Sequence, residues 1–441
     1  MSSPPLIDRD DYCSWGRVVR RRQRVVRPHF FSELPGLVGL PSSKLAIGRR
    51  RSYGDSCLNS DGSLIDMCGL DRFISFDAKK GVLRAEAGVV LSDILHLTVP
   101  SGWFLPTTPG TRFVTLGGAV ANDVHGKNHH SAGSIGRHVR AIGLLRSDRG
   151  RLTVTPASEV ALYSATIGGL GLTGVIEWVE LDLARIAAAH VDVECLPFEN
   201  LEEFWALSAE SVGNFEHTVA WIDCVSKGSK IGRGIFTRGN WSTTGSLIPH
   251  KDETWKTVPI EAPSSLLNTR SIGAFNEVYY HLQKRKRKSR LHYAPFFYPL
   301  DSVLHWNRLY GRSGMLQYQC VIPKGEARRA IPHMLSEITR SGGASFLAVL
   351  KTFGALASPG LLSFPREGAT LAIDFPNRGR DTLEALARLD QIVQEFHGAL
   401  YPAKDGRMPA RLFRQSFPGW EEFSKATDPA MSSDFWRRVA S

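Results

Sequence analysis

No stretch of this 441-residue chain is apolar for long enough to cross a bilayer. The first 26 residues carry charges and no apolar core segment, so no secretory signal peptide is visible. Cysteine is sparse. Cys13, Cys57, Cys68, Cys195, Cys224 and Cys320 are scattered with no C-x-x-C pair, which excludes a zinc ribbon or a disulfide scaffold and suits a reducing compartment. There is no Gly-Lys-Ser/Thr phosphate loop and no Gly-x-Gly-x-x-Gly between a strand and a helix in the first hundred residues. No internal repeat is present. What remains is an ordinary globular composition, 42% hydrophobic and 22% charged, at a length that suggests two or three domains.

The net charge is +11. Much of it lies in two clusters, Arg17 to Arg27 and Lys284 to Lys288, neither within a nucleic-acid-binding motif. They are either solvated basic faces or attractants for an anionic substrate or lipid headgroup. A non-catalytic basic protein binding nucleic acid or membrane is the reading of another class.

The densest chemistry lies in Gly117 to Val139, with five glycines, a lysine and His125, His129 and His130 in its middle. Glycine permits close backbone approach, and successive N–H groups make anion-binding hollows. His125 and His129 have helical zinc spacing, but Gly126 weakens a helix there and no Glu follows His125, so no metal is expected. Upstream, Leu45 to Ile47 reads as a strand running into Gly-Arg-Arg-Arg-Ser-Tyr-Gly-Asp (48–55) and a second strand at Leu64 to Met67. Strand, glycine loop and strand is a layout that cradles phosphate. Strands are expected at Gly81 to Gly88, Ala141 to Leu145, Arg151 to Thr155 and Val175 to Leu181, with a helix around Leu91, Ile94 and Leu95. The second glycine cluster, Ile167 to Val175, is either a buried turn or a cofactor-facing loop. Beyond residue 185 strands are expected at His217 to Val225, Ile231 to Thr237, Gln317 to Ile322, Ser345 to Leu350 and Ala369 to Phe375. Helices are expected at Ala327 to Thr339 and Thr382 to His397, the latter with Asp381 as N-cap and Gly398 as stop. Thr243 to Arg290 reads as irregular, a lid or entrance loop. Residues 1–40 read as a polar surface lead-in.

His-Gly-Lys-Asn-His-His-Ser-Ala-Gly-Ser (125–134) resembles the flavin-contacting segment of the decaprenylphosphoryl-ribose 2′-oxidases, of the vanillyl-alcohol-oxidase-like flavoproteins. Further segments follow in that family's order: Gly48–Cys57, Pro106–Gly118, Gly168–Ile176, Tyr298–Asp301 with Trp306–Arg308, Leu316–Pro323, Leu362–Pro365, Ile373–Pro376 and Tyr401–Asp405. The resemblance implies an α+β fold: a two-subdomain PCMH-type FAD-binding domain (1–189), a substrate-binding cap with an antiparallel sheet flanked by helices (190–398), and a C-terminal segment (399–441) returning to the FAD domain.

The resemblance further implies oxidation of a sugar's secondary hydroxyl by FAD, with the 2′-hydroxyl of a polyprenylphosphoryl-ribose as substrate. A separate NAD(P)H-dependent short-chain reductase would complete epimerisation to the arabinose form. A cytoplasmic or peripherally membrane-associated location is implied, without nucleic acid. The nearest alternative is a sugar-lactone or alditol oxidase. Many relatives tether FAD through a histidine in the loop that here reads Arg49 to Asp55; this loop has none, so non-covalent FAD is expected. A cysteine that mycobacterial members carry before the Asp-Phe-Pro step is Ala372 here, and Thr370 and Glu367 also differ.

Carried over by position, the FAD contacts are Arg51, Ser52, Tyr53, Gly54, Asp55, Ser56, Gly110, Thr111, Thr115, Gly117, Gly118, Asn122, His125, Gly126, Asn128, His129, Ser131, Gly133, Val175, Ile176 and Tyr401. Lys404 is the expected proton-handling residue, with His125 and Lys127 supplying polar and positive character. Otherwise Lys404 would be a surface lysine in a turn. Gln317, Gln319, Lys351 and Lys127 are the expected substrate contacts. The two glutamines share one strand face and Tyr318 takes the other.

Overall fold

The computed structural model describes residues 4–252, 256–263, 266–284, 288–342 and 345–440. Three main sheets organise them. The first is small, with strands β1 (Ile7–Arg9), β2 (Gln23–Val26), β3 (Lys44–Ile47) and β4 (Ser63–Asp66) in the order β1-β2-β4-β3. Its β2, β4 and β3 run parallel. The lead-in is therefore not a surface appendage. Val25 and Val26 are buried, because β2 lies inside the sheet.

The second sheet is antiparallel, with β5 (Phe73–Asp77), β6 (Val82–Glu86), β7 (Val139–Arg146), β8 (Gly150–Val154) and β9 (Val175–Asp182) in the order β5-β6-β9-β7-β8. Helices α1 (Leu91–Thr98), α2 (Leu116–Ala121) and α5 (Tyr293–Phe297) share its core. Thr115 caps α2 by accepting from the Gly118 N–H.

The third sheet has eight antiparallel strands. They are β10 (His190–Phe198), β11 (His217–Ile222), β12 (Gly234–Trp241), β13 (Lys288–His292), β14 (Met315–Pro323), β15 (Ala348–Phe353), β16 (Gly368–Pro376) and β17 (Ala399–Leu400). Their order is β13-β10-β12-β11-β15-β16-β14-β17. Successive strand residues face opposite sides. Leu316, Tyr318, Cys320 and Ile322 of β14 and Leu371, Ile373 and Phe375 of β16 join one apolar core. That core also holds residues of α3 (Leu201–Ser211), α6 (Lys324–Arg340) and α7 (Arg380–Glu395). The alternate residues Gln317, Gln319, Thr370, Ala372, Val349 and Lys351 face a cavity.

Several local expectations shift. Helix α7 starts at Arg380 with Gly379 as N-cap, and Asp381 sits in its first turn. Gly379 takes φ +66, and the Thr382 hydroxyl accepts from the Arg378 N–H, so the chain turns two residues earlier. The segment read as irregular contains a 15-residue helix, α4 (Thr269–Gln283), started by an Asn268 capping box. The strands expected at Ile231 and Ser345 begin at Gly234 and Ala348. Of the basic run, Lys284 and Lys288 pair with Glu199 and Glu194, while 285–287 lie outside the described residues.

The chain's end comes back to its beginning. The Lys44 N–H bonds the Ala430 carbonyl, and α8 (Asp434–Ala440) carries Arg438, whose guanidinium bridges Asp55 and Asp405. No helix among the described residues is long and apolar enough to cross a membrane.

Candidate active site

A cavity of about 740 Å³ runs between the glycine loops of the first two sheets and the open face of the third. Its size is that of a ligand pocket. One wall is loop backbone: Gly48 to Tyr53 with Ser56, Thr108 to Thr111, and Gly118 to Lys127. The other wall is sheet, with Gln317, Gln319, Lys351, Thr370 and Ala372 beside Tyr401, Ala403 and Lys404.

The loop wall approaches closely because glycine allows it. A Cβ on Gly54 would stand 1.5 Å from the Asp405 carbonyl oxygen, so this loop meets the Lys404 turn backbone to backbone. Gly110 has nothing within 4 Å of where a Cβ would stand, so its backbone is open to the cavity. The Ser56 hydroxyl and His125 Nδ1 are buried without hydrogen-bond partners, which is unusual unless a ligand completes them.

The titratable groups come from both walls: Lys404, Asp374 and Lys351 from the sheet side, His125 and Lys127 from the loop side. Lys404 Nζ lies 3.9 Å from the centre of the Tyr53 ring. Burial and the Lys351 charge push its ammonium below the usual lysine range, and Asp374 pulls it back up. Asp374 is fully buried and accepts from Gln317 Nε2 at 2.5 Å. Burial raises its carboxyl, against the opposing pull of Gln317 and Lys404. Lys127 is brought down to about 7 and Lys351 to about 8, both by desolvation. Lys127 Nζ donates to the Phe296 carbonyl. His125 Nε2 is 3.1 Å from Gln319 Nε2, and burial holds its imidazole neutral, well below its ordinary value. The arrangement offers a desolvated amine beside a carboxyl, two further lysines for an anion, and amides for hydroxyls.

The expected residues divide. Arg51, Ser52, Tyr53, Ser56, Gly110, Thr111, Thr115, Gly118, Asn122, His125, Gly126 and Tyr401 line the cavity, as do Lys404, Lys127, Gln317, Gln319 and Lys351. Gly54, Asp55, Gly117, Asn128, His129, Ser131, Gly133, Val175 and Ile176 stand behind the wall. Their occupations explain the distance. Asp55 is engaged by Arg438. Asn128 bonds Thr107 and the Pro106 carbonyl. Ser131 donates to the Asn128 and Glu216 carbonyls. Gly117 packs on Ala87, Gly133 on Arg137, and His129 on the Phe353 ring at 4.3 Å. Val175 and Ile176 are paired with Leu145 and Leu144 inside the second sheet. The glycine cluster at 167–175 is chiefly a buried turn that sends only Leu170, at φ +56, to the wall.

Reading by position missed Asp374, although Ile373-Asp-Phe-Pro376 was in view. Its signal is a lone acid at even spacing from Thr370 and Ala372 in an apolar strand, hence on the cavity face. Trp221, Phe275, Tyr279 and Asp301, which line the cavity as Asp374 itself does not, were also missed. Glu367 pairs with Lys324, away from the cavity.

Comparison with known proteins adds to this geometry. Residues 41–156 match the model of an FAD binding domain. The chain is 36% identical to the decaprenylphosphoryl-beta-D-ribose oxidase of Mycolicibacterium smegmatis, over 90% of this chain and 88% of that protein. It is 30% identical to an uncharacterized protein of Streptomyces coelicolor, over 80% of this chain and all of that one. A mouse L-gulonolactone oxidase is 29% identical over 28% of each chain. The cavity fits the dinucleotide: a glycine-lined loop with three arginines offers N–H and guanidinium donors, and the orphaned Ser56 and His125 atoms offer polar contacts.

Proposed function

We propose, for a chain that belongs to the decaprenylphosphoryl-ribose oxidase family of FAD-binding oxidoreductases, that it oxidises the 2′-hydroxyl of a polyprenylphosphoryl pentose to the ketone. The single observation that carries the reading is Lys404, whose Nζ stands on the cavity wall against the Tyr53 ring, with Lys351 on the adjoining sheet and Lys127 on the facing loop. A phosphate-bearing sugar needs cations for its anion and a base for its hydroxyl, and this cavity has both.

FAD, when bound, accepts the electron pair and hydrogen leaving the sugar carbon. Arg51, Ser52, Tyr53, Ser56, Gly110, Thr111, Thr115, Gly118, Asn122, His125, Gly126 and Tyr401 are the residues that would hold it. The dinucleotide rests in a two-subdomain PCMH-type domain formed by residues 1–189 and 399–441, with 190–398 as the cap. Lys404 Nζ takes the hydroxyl proton, since desolvation favours its neutral form near neutral pH. Gln317 and Gln319 hold the sugar hydroxyls, and Lys127 and Lys351 hold the phosphate, whose negative charge favours their protonated forms where Lys404 meets a neutral hydroxyl. Holding the carbon and the base together supplies much of the rate.

The loop from Arg49 to Asp55, where the family resemblance would put a tethering histidine, has none. FAD is therefore held without a covalent bond. Acid precipitation should leave the yellow colour in the supernatant; colour staying with the protein pellet would contradict this.

Phe275 of α4 lines the cavity and is exposed, as are Val278 and Leu282 on the same helix, which runs into the basic run. Apolar side chains flanked by cations suit peripheral contact with an anionic membrane. A short-chain reductase then reduces the ketone to the arabinose form.

The test is anaerobic mixing with polyprenylphosphoryl ribose, free pentoses, alditols and sugar lactones, watching flavin bleaching. Bleaching by the lipid-linked phosphate alone is expected. Bleaching by lactones or alditols alone would move the assignment to those oxidases.

A further inference from the structure

One cluster lies apart from the cavity and takes no part in the proposed reaction. His96 is on α1, and His250 and Asp252 are on the segment between β12 and α4. Their ligand-capable atoms all lie within 4.8 Å of one another. His96 Nε2 is 3.1 Å from Asp252 Oδ1, and His250 Nε2 is 3.5 Å from the same oxygen. None of the three lines the cavity.

We propose that His96, His250 and Asp252 form a structural divalent-cation site of the zinc class. Four donors around zinc at roughly 2.0–2.1 Å stand about 3.3 Å apart along each edge of the tetrahedron. The two measured separations fall on either side of that figure. Two imidazoles and one carboxylate suit a borderline cation such as zinc, whereas calcium and magnesium want oxygen ligands. The fourth position falls to water, since Ser92 Oγ, hydrogen-bonded to His250 Nε2 at 2.7 Å, stands closer than a tetrahedral edge.

The outer contacts suit the same role. His250 Nδ1 lies 2.5 Å from the Tyr293 hydroxyl, which also accepts from the His250 backbone N–H at 2.9 Å. A ligating histidine ordinarily gives its other ring N–H to such an oxygen, fixing the tautomer and aiming Nε2 at the metal. The His250 side chain is 1% exposed, so its ring is already held in place. Asp93 on the same helix acts on His96 and Asp252 and adds negative field. Arg112 faces His250, but its charge is shared with Asp301 at 3.8 Å.

Such a cation would tie the segment entering the third sheet's far side to α1. That helix holds up the loop wall of the cavity, through Leu91 N–H to the Val114 carbonyl and Ser92 N–H to the Arg112 carbonyl. The site is a strut behind the cofactor loop.

The test uses FAD-loaded protein stripped with a chelator, dialysed against zinc and assayed for metal and flavin per chain. His96→Ala and Asp252→Asn are the variants, chosen because both side chains reach solvent. One zinc per chain is expected in the parent. Zinc-edge X-ray absorption should show nitrogen and oxygen neighbours and no sulfur at about 2.3 Å, which separates the site from the chain's six cysteines. Each variant should keep its flavin and lose zinc affinity by more than the ten- to hundredfold that an outer-shell partner is worth. A parent that retains no zinc, variants that retain as much as the parent, or a sulfur shell would each overturn the proposal.

Discussion

The two walls of the cavity are built on opposite principles. The loop wall brings backbone close through its glycines and adds cations from Arg49 to Arg51; the Gly54 contact with Asp405 leaves no room for a methyl group. The sheet wall presents side chains, delivered every second residue from rigid strands, and it carries Gln317, Gln319, Thr370 and Lys351. Backbone donors suit a phosphate-bearing cofactor whose binding needs little discrimination. Side chains on a sheet suit a substrate that must be told apart and deprotonated. The lesson is a division of labour: one wall holds, the other reacts.

The largest expected effect tests the reacting wall. Lys404→Ala should slow flavin reduction by roughly 10²- to 10⁴-fold, the usual worth of a positioned acid–base group. It should keep fold and FAD, and Lys404→Arg should not rescue it, since arginine stays protonated. Stopped-flow reduction without oxygen, with flavin absorbance per chain, separates the two readouts. Gly54→Ala should do the converse: overpacking costs typically about 1–3 kcal/mol, read as a lower Tm and less FAD per chain. If both variants lost the same property to the same degree, the two walls would not be separate in function.

Asp374→Asn sharpens the comparison within the sheet wall. The Asp374 carboxylate raises the Lys404 pKa, so its removal should lower it further. The ascending limb of kcat/KM should then move to lower pH, while FAD content stays constant. A limb that does not move would detach Asp374 from Lys404.

The smallest effect concerns the basic run. Replacing Lys284 to Lys288 by Ser or Gln should raise the apparent KM and weaken its dependence on salt, with kcat kept. Unchanged kinetics at low salt would leave these residues as a solvated face.

Much of the frame could be read in advance, for physical reasons that differ by element. Period-two alternation placed Gln317 and Gln319 on one face because a strand allows no other arrangement. The glycine loops were visible because they are poor core material. Asp374 was passed over because a single acid in an apolar strand shows its meaning only once the neighbouring strand sets Gln317 opposite it, 2.5 Å from its carboxylate. Helix α4 was missed because its apolar residues Phe275, Val278 and Leu282 face outward, so they trace no buried stripe. The N-cap of α7 moved to Gly379 because a positive-φ turn there overrode the preference for Asp381. The grouping of His96 with His250 and Asp252 spans about 155 residues of chain and leaves no local trace.

The most direct measurement is the pH dependence of flavin reduction under anaerobic, single-turnover conditions, with the parent beside Lys404→Ala. In the parent the rate should rise with pH as Lys404 loses its proton, then level off. In the variant it should be low and flat over the same range. The same ascending limb in both proteins would contradict the assignment of proton transfer to Lys404.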